Sequence, residues 1–459
     1  MSLFSILAIN GQALNSFQKG IDLTNKNVDN LDNKDYSRER AIFDELPGYG
    51  VTMTEAHRIF DQRYFDRFIH ENQRMHYYKE ASNSLDNVQT ILNDIQGSGI
   101  SKELNSYYNA LNDIVSQPEN IAARTNFLEK ARLLVSKFKT AYNEMENEKE
   151  NLQLSIQQET RQINDLTKSL AKINKKLSIH PSPLIIDQEE YNTLLNQRDK
   201  LIKQISSHID TKVRYNSNGT ADIFTAKGHA LVLADRNFQL SSTTQPNTLD
   251  GNLITYSIKL RVNNVDLSDD FSKGSLTAKL HTQNIIDESI TKLNKLAIAF
   301  ANRHNDIHTS GYDLENNPGG ALFGYEGSSL NISTIKVTID DPKKVAAATA
   351  TNEPSNNENA KAMLETQQEK IATLNNRTFH DYYSDLVAKI GAQKSTMDAM
   401  YEQSHSIATA LDDKIQSISG VNLDEELVRL TQLQRAYQAS ARVLGVTDKL
   451  LETVMNIVR

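Results

Sequence analysis

The spacing that comes nearest to a metal site is a pair of histidines four residues apart, in His304-Asn305-Asp306-Ile307-His308. On a helix both side chains would face the same side and could bind one zinc ion. Hydrolases with this spacing have a glutamate directly after the first histidine as general base, and this chain has Asn305 there. The sequence places no third ligand. We predict two exposed histidines near a helix C-terminus, which favours cations, and keep a metal-dependent hydrolase as an alternative.

Other patterns that would indicate catalysis are weak. The glycine-rich phosphate loops GxxxxGK[ST] and GxGxxG do not occur in the chain. Asp424, Glu425 and Glu426 are adjacent, so on a helix they point in different directions and suit the positive N-terminus better than one scissile bond. Lysines near positions 175 and 200 fit solvated helix faces. We predict no enzyme activity, no catalytic residue, no metal and no cofactor.

The composition is typical of a long-helix protein rather than a compact α/β enzyme. Of 459 residues 38% are hydrophobic, and there are 18 Gly, 8 Pro and no Trp. The net charge of −8 argues against nucleic-acid and anionic-membrane partners. The lack of cysteine excludes disulfides and thiol chemistry. The apolar run Ile6–Ile9 is too short for a secretory leader or a membrane span, so we expect any export to proceed without a cleaved signal peptide.

The N-terminal end carries a heptad repeat. All eight prolines lie between Pro47 and Pro354, which leaves both ends free to form long helices. Steps of four and three residues from Leu3 meet the polar Asn10 and Thr24 and otherwise only apolar side chains. The apolar positions are Leu3, Leu7, Leu14, Phe17, Ile21, Val28 and Leu31.

The C-terminal end repeats this pattern, with Gln434 and Asp448 as its polar positions. Asn422 followed by Glu425 is typical of a helix N-cap with its reciprocal partner. An amphipathic helix must bury its apolar stripe, so we predict that the two terminal helices pack on each other; packing of each on its own domain remains the alternative. The apolar positions are Leu423, Leu427, Leu430, Tyr437, Ala441, Leu444, Leu451, Met455 and Val458.

Between the ends, the pattern predicts a helical body interrupted by short strands. We expect an antiparallel helical hairpin around the break at residues 180–183, with its first helix starting at Pro118. Alternating and β-branched residues predict strands further on. The predicted helices are 60–95, 102–116, 118–178, 191–205, 284–306 and 361–415, and the predicted strands are Ala221–Thr225, Ile254–Leu260 and Ile332–Ile339.

The sequence therefore predicts a mainly α protein with paired terminal coiled-coil helices, a rod-like helical bundle and a small β insert. The terminal coiled-coil domain would comprise residues 1–40 with 416–459. The rod domain would comprise 41–208 with 281–415, and the β-rich element within it 209–280.

Both ends of the chain resemble the flagellar axial proteins of bacteria. The C-terminal signature is Ser419-Gly420-Val421-Asn422-Leu423-Asp424-Glu425-Glu426 with Leu433–Leu444, and the N-terminal one is Asn27–Leu31 with Tyr36-Ser37-Arg38. Within that family, interior segments are similar to the hook-associated protein 1 branch. These segments are Leu195–Leu201, Leu111–Val115, Pro118–Asn120, Ala123-Arg124, Leu296–Asn305 and Gly311-Tyr312-Asp313.

Two features depart from the family pattern. Asp35 stands where the family has glycine before the Tyr-Ser-Arg element, so the turn there would have to involve Asn33 and Lys34. The chain is also short near residues 325–342, where larger relatives insert an outer β domain. We predict that this domain is reduced or absent.

The resemblance implies a structural role in the bacterial flagellum, outside the cell. Such a protein forms the hook–filament junction as a ring of subunits, with hook protein and a second junction protein as neighbours. Its apolar heptad residues would form the contacts between subunits. Export would use the flagellar type III apparatus, and a chaperone would hold the C-terminal helix before export.

Alternatives from other classes remain. A hook or distal-rod protein would share the terminal signatures, but the long coiled coil predicted between about 119 and 205 disfavours it. A cytoplasmic helical adaptor or chaperone would show the same composition and lack of active-site motifs.

Overall fold

Long helices dominate the architecture. The computed structural model describes residues 2–46, 50–92, 99–179, 188–249, 253–327 and 330–457. The helices within these ranges are α1 (Leu3–Asp29), α2 (Gln62–Leu92), α3 (Ile100–Ser116), α4 (Ile121–Ile179), α5 (Gln188–His208), α6 (Ser275–His308), α7 (Glu358–Glu365), α8 (Phe379–Ser419) and α9 (Leu423–Ile457). None of them is both long and apolar enough to span a membrane.

The strands form small antiparallel sheets. A hairpin of β1 (Glu39–Leu46) and β2 (Gly50–Arg58) follows α1, and β10 (Phe323–Tyr325) pairs with β11 (Ile335–Val337). Between α5 and α6 lie a four-stranded and a three-stranded sheet, each with its strands in sequence order. These strands are β3 (Thr211–Tyr215), β4 (Ala221–Thr225), β5 (Ala230–Leu233), β6 (Arg236–Asn237), β7 (Ser241–Leu249), β8 (Leu253–Val262) and β9 (Val265–Asp266).

Two hydrophobic cores lie along the body, and α4, α6 and α8 pass through both. The first core surrounds Tyr107 and Phe300 and contains the first half of α4, most of α6 and the start of α8. The second core surrounds Ile163 and Ile223 and contains the second half of α4, α5 and the sheets β3–β9. At 1.5 Å per residue, the 59 residues of α4 span about 88 Å. The predicted mainly α fold with a small β insert is confirmed.

Several element boundaries differ from the predictions. Helix α4 starts at Ile121 rather than Pro118, because the Asn120 side chain accepts from the N–H groups of Ala122 and Ala123 and caps the helix there. Helix α6 starts at Ser275, earlier than the predicted 284. The buried face of its first turns mixes the apolar Leu276 and Leu280 with polar residues such as Thr277, whose hydroxyl donates to the Lys273 carbonyl, so the apolar pattern is interrupted there.

Other predictions fall into three groups. The predicted helix 361–415 is divided into α7, which starts earlier, at Glu358, and α8, which starts at Phe379. The break at 180–183 lies outside the described residues, although α4 and α5 on either side of it pack together as predicted. Among the described residues near 325–342, the chain forms the short pair β10–β11 and a 3-10 turn at Pro342–Lys344, not a larger β domain.

The histidine pair lies inside the first core, so the prediction of exposed histidines is wrong. His304 packs against Tyr107 and Phe300, with its Nδ1 2.9 Å from the Phe300 carbonyl oxygen. The Ala346 N–H donates to His308 Nε2 at 2.9 Å, which requires that nitrogen to be unprotonated. The opposite nitrogen, Nδ1, then donates to the carbonyl of Gly320 at 2.7 Å. The interior needs both histidines in their neutral form.

We predict that these histidines make stability depend on pH. Burial lowers the pKa of His304 and of His308 to about 4, against 6.5 in the unfolded chain. Between these two pH values the unfolded chain therefore binds more protons than the folded chain. The contribution of the two histidines to the free energy of unfolding is complete above pH 6.5 and is lost as the pH falls toward 4. When the pH is lowered from 7.5 to 5, the free energy of unfolding measured with urea should fall by about 2 kcal/mol for each histidine.

The variant His308→Gln is the matched control. Its amide keeps one donor and one acceptor but does not titrate, so its unfolding free energy should fall by about 2 kcal/mol less than that of the parent over the same pH range. Equal losses in both proteins would contradict the account.

Candidate functional site

The candidate site is the pair formed by the terminal helices α1 and α9. The Asn27 Nδ2 donates to the Glu426 Oε2 at 3.1 Å. Gly20, seven residues earlier, lies against Leu433, seven residues later. The two helices therefore run antiparallel with heptad spacing, and the prediction that the chain ends pair is confirmed.

The face of α1 that is buried differs from the predicted stripe by one residue at each heptad position. The predicted residues Leu3, Leu7, Leu14, Phe17, Ile21 and Val28 are half-buried. Leu31 lies beyond the helix, which ends at Asp29, and its side chain is exposed, so its place in the heptad is wrong. The residues that are buried are Ala13, Ser16, Gly20, Leu23, Thr24 and Asn27.

This buried stripe consists mainly of small and polar residues because side chains of the hairpin and of α9 pack directly against the backbone of α1 at Gly20. A Cβ atom at Gly20 would lie 2.9 Å from the Phe43 Cζ of the hairpin and 3.3 Å from the Leu433 methyl carbons of α9. Both distances are shorter than ordinary van der Waals contact. The large apolar side chains beside the stripe lie at its edge, where Phe17 packs on Phe43 at 5.8 Å between ring centroids.

Helix α9 is less covered than α1. Of the predicted positions, Leu430, Tyr437, Leu444 and Leu451 are half-buried, whereas Leu423, Leu427, Ala441 and Met455 are exposed. Val458 lies outside the described residues. The buried residues of α9 are Glu426, Leu433 and Thr447, none of them in the predicted stripe. The structure thus leaves much of the apolar surface of α9 in solvent.

A buried polar network joins the two helices to the hairpin. The Oδ1 of Asn27 accepts from the Tyr36 hydroxyl at 2.7 Å and from the Glu39 N–H at 3.0 Å. The Nδ2 of Asn27 donates to the Glu39 carbonyl at 2.8 Å, in addition to Glu426. Burial, and then the Glu39 and Glu426 carboxylates, raise the pKa of Tyr36, which keeps its hydroxyl protonated as a donor. Every polar atom of the Asn27 amide is therefore used.

The corner between α8 and α9 is attached to the same segment. The Arg38 N–H donates to the Ser419 carbonyl at 2.8 Å, and the Arg38 guanidinium contacts the Glu425 carboxylate at 2.6 Å. The Asn422 Oδ1 accepts from the N–H groups of Asp424 and Glu425, so Asn422 caps α9 as predicted. The carboxylate of Glu425, expected to complete the cap, is instead the partner of Arg38.

Helix α5 connects this corner to the body. Arg58, at the end of the hairpin, donates to Asn196 at 2.8 Å, to Asp199 at 2.8 Å and to Ser37 at 3.1 Å. The side chains of Arg58 and Asp199 are both less than 10% exposed. Because removing one partner would leave the other charge buried, this pair fixes the hairpin on α5.

The two terminal motifs and the segment Leu195–Leu201 thus meet in space, whereas other segments that carry the resemblance, such as Leu111–Val115 and Leu296–Asn305, belong to the first core. Asn27, Tyr36–Arg38, Asn196–Asp199 and Ser419–Glu426 all take part in this joint. The turn at Asp35 forms without glycine, because the Asn33 carbonyl accepts from the Tyr36 N–H and the Asn33 side chain accepts from the Asp35 N–H. The residues of these motifs therefore form a structural joint between the terminal pair, the hairpin and α5.

Sequence reasoning missed the hairpin β1–β2, which supplies Glu39 and Arg58. The alternation of Val51 and Met53 with Thr52 and Thr54 was its signal. In the described part of the chain, no three His, Asp or Glu side chains are grouped so that they could hold a metal ion. Both ring nitrogens of His304 and His308 already have protein partners. The arrangement supports packing and recognition between helices.

We predict that Gly20→Leu separates α1 from α9 and the hairpin, because the contacts around Gly20 leave no room for a side chain. Overpacking of this kind costs about 1 to 3 kcal/mol. Hydrogen exchange of the α9 amides should become faster in this variant.

Gly11→Leu is the matched control. It changes a glycine of the same helix that has no atom within 4 Å of its Cβ position, and leucine favours helix by up to about 1 kcal/mol over glycine. Exchange in α9 should stay unchanged in Gly11→Leu. Equal acceleration in both variants would contradict the packing described here.

Comparisons with known proteins agree with these features. The family model "Flagellar hook-associated protein FlgK helical domain" matches residues 85–323, just over half of the chain. A second family model, "Flagellar basal body rod FlgEFG protein C-terminal", matches residues 414–457.

Full-length relatives bear the corresponding name. "Flagellar hook-associated protein 1" of Bacillus subtilis is 26% identical over 99% of this chain and 98% of its own, and that of Salmonella typhimurium is 25% identical over 97% and 98%. The structure of the "flagellar hook junction protein FlgK from Burkholderia pseudomallei" matches with a TM-score of 0.66 at 14% identity. It covers 77% of this chain and all of that one, and shows a shared fold. The chain belongs to the flagellar hook-associated protein FlgK family.

Proposed function

We propose that this chain is a structural subunit of the bacterial flagellum at the junction between hook and filament, and that it joins its neighbours through α1 and α9. Membership of the FlgK family supports the location, since the relatives are named for the hook and the hook junction. The observation that carries the mode of assembly is the terminal pair, in which α9 is long, apolar and largely uncovered.

The proposed subunit contacts use the apolar heptad residues of both ends. Exposed positions such as Leu427 and Met455 are free to pack on other subunits, and half-buried positions such as Leu430 and Leu14 still reach the surface of the pair. The proposed set is Leu3, Leu7, Leu14, Phe17, Ile21, Val28, Leu31, Leu423, Leu427, Leu430, Tyr437, Ala441, Leu444, Leu451, Met455 and Val458.

The proposed partners follow from the same role. They are further copies of this chain in a ring, the hook protein on one side and a second junction protein on the other. Before assembly, an export chaperone would cover α9, whose exposed apolar residues would otherwise favour aggregation. Export would occur without cleavage of a signal peptide, and the role would be mechanical rather than enzymatic.

A hook or distal-rod protein is the second candidate, because the C-terminal match at residues 414–457 is to the rod family. The match of residues 85–323 to the helical domain of the hook-associated family favours the junction. Long helices α4 and α5 of the body lie within that match.

Deletion of the coding region tests the location. We expect cells with hooks but no filaments by electron microscopy, and flagellin lost to the medium, because the filament would lack its base. Normal filaments on the deleted cells would contradict the proposal.

Substitution of Leu430 and Leu444 by Asp tests the mode of assembly. Both side chains are half-buried in the terminal pair, so two carboxylates there should weaken it by several kcal/mol and abolish incorporation while the body stays folded. Immunodetection in sheared flagella measures incorporation, and circular dichroism of the purified variant checks the fold.

The double variant Gln434→Asp/Gln438→Asp adds the same charge to α9 at exposed polar positions. It should be incorporated normally. Normal incorporation of the Leu430→Asp/Leu444→Asp variant would contradict assembly through these residues.

A further inference from the structure

Helix α9 carries a second apolar strip that does not face α1. It consists of Ala439, Val443, Val446, Leu450 and Val454, here called the outer stripe, at steps of three and four residues. The four larger side chains are 45 to 59% exposed. At 3.6 residues per turn, the centre of the stripe lies about 90° around the helix from the centre of Glu426, Leu433 and Thr447, the residues buried in the pair. Within the stripe, Val446 lies farthest from these residues and Val454, seven residues after Thr447, lies nearest to them.

Helix α1 carries a matching second strip. Leu7, Leu14, Ile21 and Val28, here called the flank, are seven residues apart and only half-buried. The flank lies about 110° around α1 from the buried stripe that contains Gly20 and Asn27. Each terminal helix therefore has one face that is buried within the chain and an apolar strip beside that face.

Two different apolar strips on one molecule favour a head-to-tail contact. If the stripe of one copy packs on the flank of the next, each copy still offers one free strip of each kind, so the contact can repeat around a ring or along a helix. A symmetric contact between two stripes would instead end at a dimer.

Charge also disfavours that symmetric contact. Arg435, Arg442 and Lys449 run along one edge of the outer stripe at heptad spacing. Antiparallel pairing of two α9 helices would bring both rows of cations together. On α1 the exposed charged residues nearest to the flank are acidic, Asp22 and Asp29, so α1 attracts this face of α9.

We propose that the outer stripe of α9 docks on the flank of α1 in a second copy of this chain, so that successive terminal pairs form one layer of alternating α1 and α9 helices. This inference rests on the proposed function and adds the faces that meet. To the proposed heptad contacts it adds residues of α9 outside the predicted C-terminal heptad, chiefly Val443, Val446 and Leu450.

Cysteine cross-linking tests the pairing, since the chain has no cysteine of its own. Val446→Cys would be combined in turn with Leu7→Cys, Leu14→Cys and Ile21→Cys, and flagella isolated from the cells would be oxidised. We expect at least one double variant to give a ladder of covalent oligomers and Val446→Cys alone to give none. Dimers from Val446→Cys alone, or no oligomers from any double variant that is assembled, would overturn the proposal.

A charge variant covers the case in which the cysteine variants do not assemble. Val446→Asp should lower incorporation into flagella at least tenfold, with unchanged unfolding of the purified chain, because Val446 is 59% exposed in the single copy. Gln438→Asp, also exposed on α9, is the control and should be incorporated normally. Normal incorporation of Val446→Asp would overturn the docking but leave the junction role intact, whereas normal filaments after deletion of the chain would remove the role itself.

Discussion

The structure depends on the meeting of the two ends of the chain at Asn27. Its amide is held by the hairpin backbone, the Tyr36 hydroxyl and the Glu426 carboxylate, so one side chain of α1 sets the positions of β1 and α9 together. A buried amide that loses a partner costs about 1 to 3 kcal/mol, which makes this geometry specific as well as stable. The close approach at Gly20 follows from it, because α9 can lie against α1 in that register only where α1 lacks a side chain.

The same joint fixes the position of the terminal pair relative to the body. Arg58 and Asp199 fix the hairpin on α5, and Arg38 holds the α8–α9 corner through the Ser419 carbonyl. Helices α4, α6 and α8 cross both hydrophobic cores, so the body moves as a packed unit of low compressibility. The proposed role at the junction calls for this combination: a well-packed body, and terminal helices with apolar surface left for neighbouring subunits.

Much of the fold follows from sequence periodicity, and the exceptions have physical causes. The predicted 102–116 helix agrees with the structure because most of its buried residues are apolar. The strand Ala221–Thr225 also agrees, although Asp222 and Thr225 are buried in it and Phe224 is only half-buried. The register of α1 could not be predicted, since close packing selects Ala13, Ser16 and Gly20 rather than the largest apolar residues. The burial of His304 depends on Tyr107 and that of His308 on Ala346 and Gly320, which other segments supply. In the sequence, the joint was indicated only by the family resemblance, because the residues that form it are hundreds of positions apart in the chain.

The most direct test of this account is a cryo-electron microscopy reconstruction of the hook–filament junction at a resolution that separates helices. We expect an inner layer made of antiparallel α1–α9 pairs. In this layer, α9 of each copy contacts its own α1 near Gly20 and contacts the α1 of the next copy near Val446. Terminal helices that lie outside the body, or pairs in which α1 and α9 come from different chains at Gly20, would contradict it.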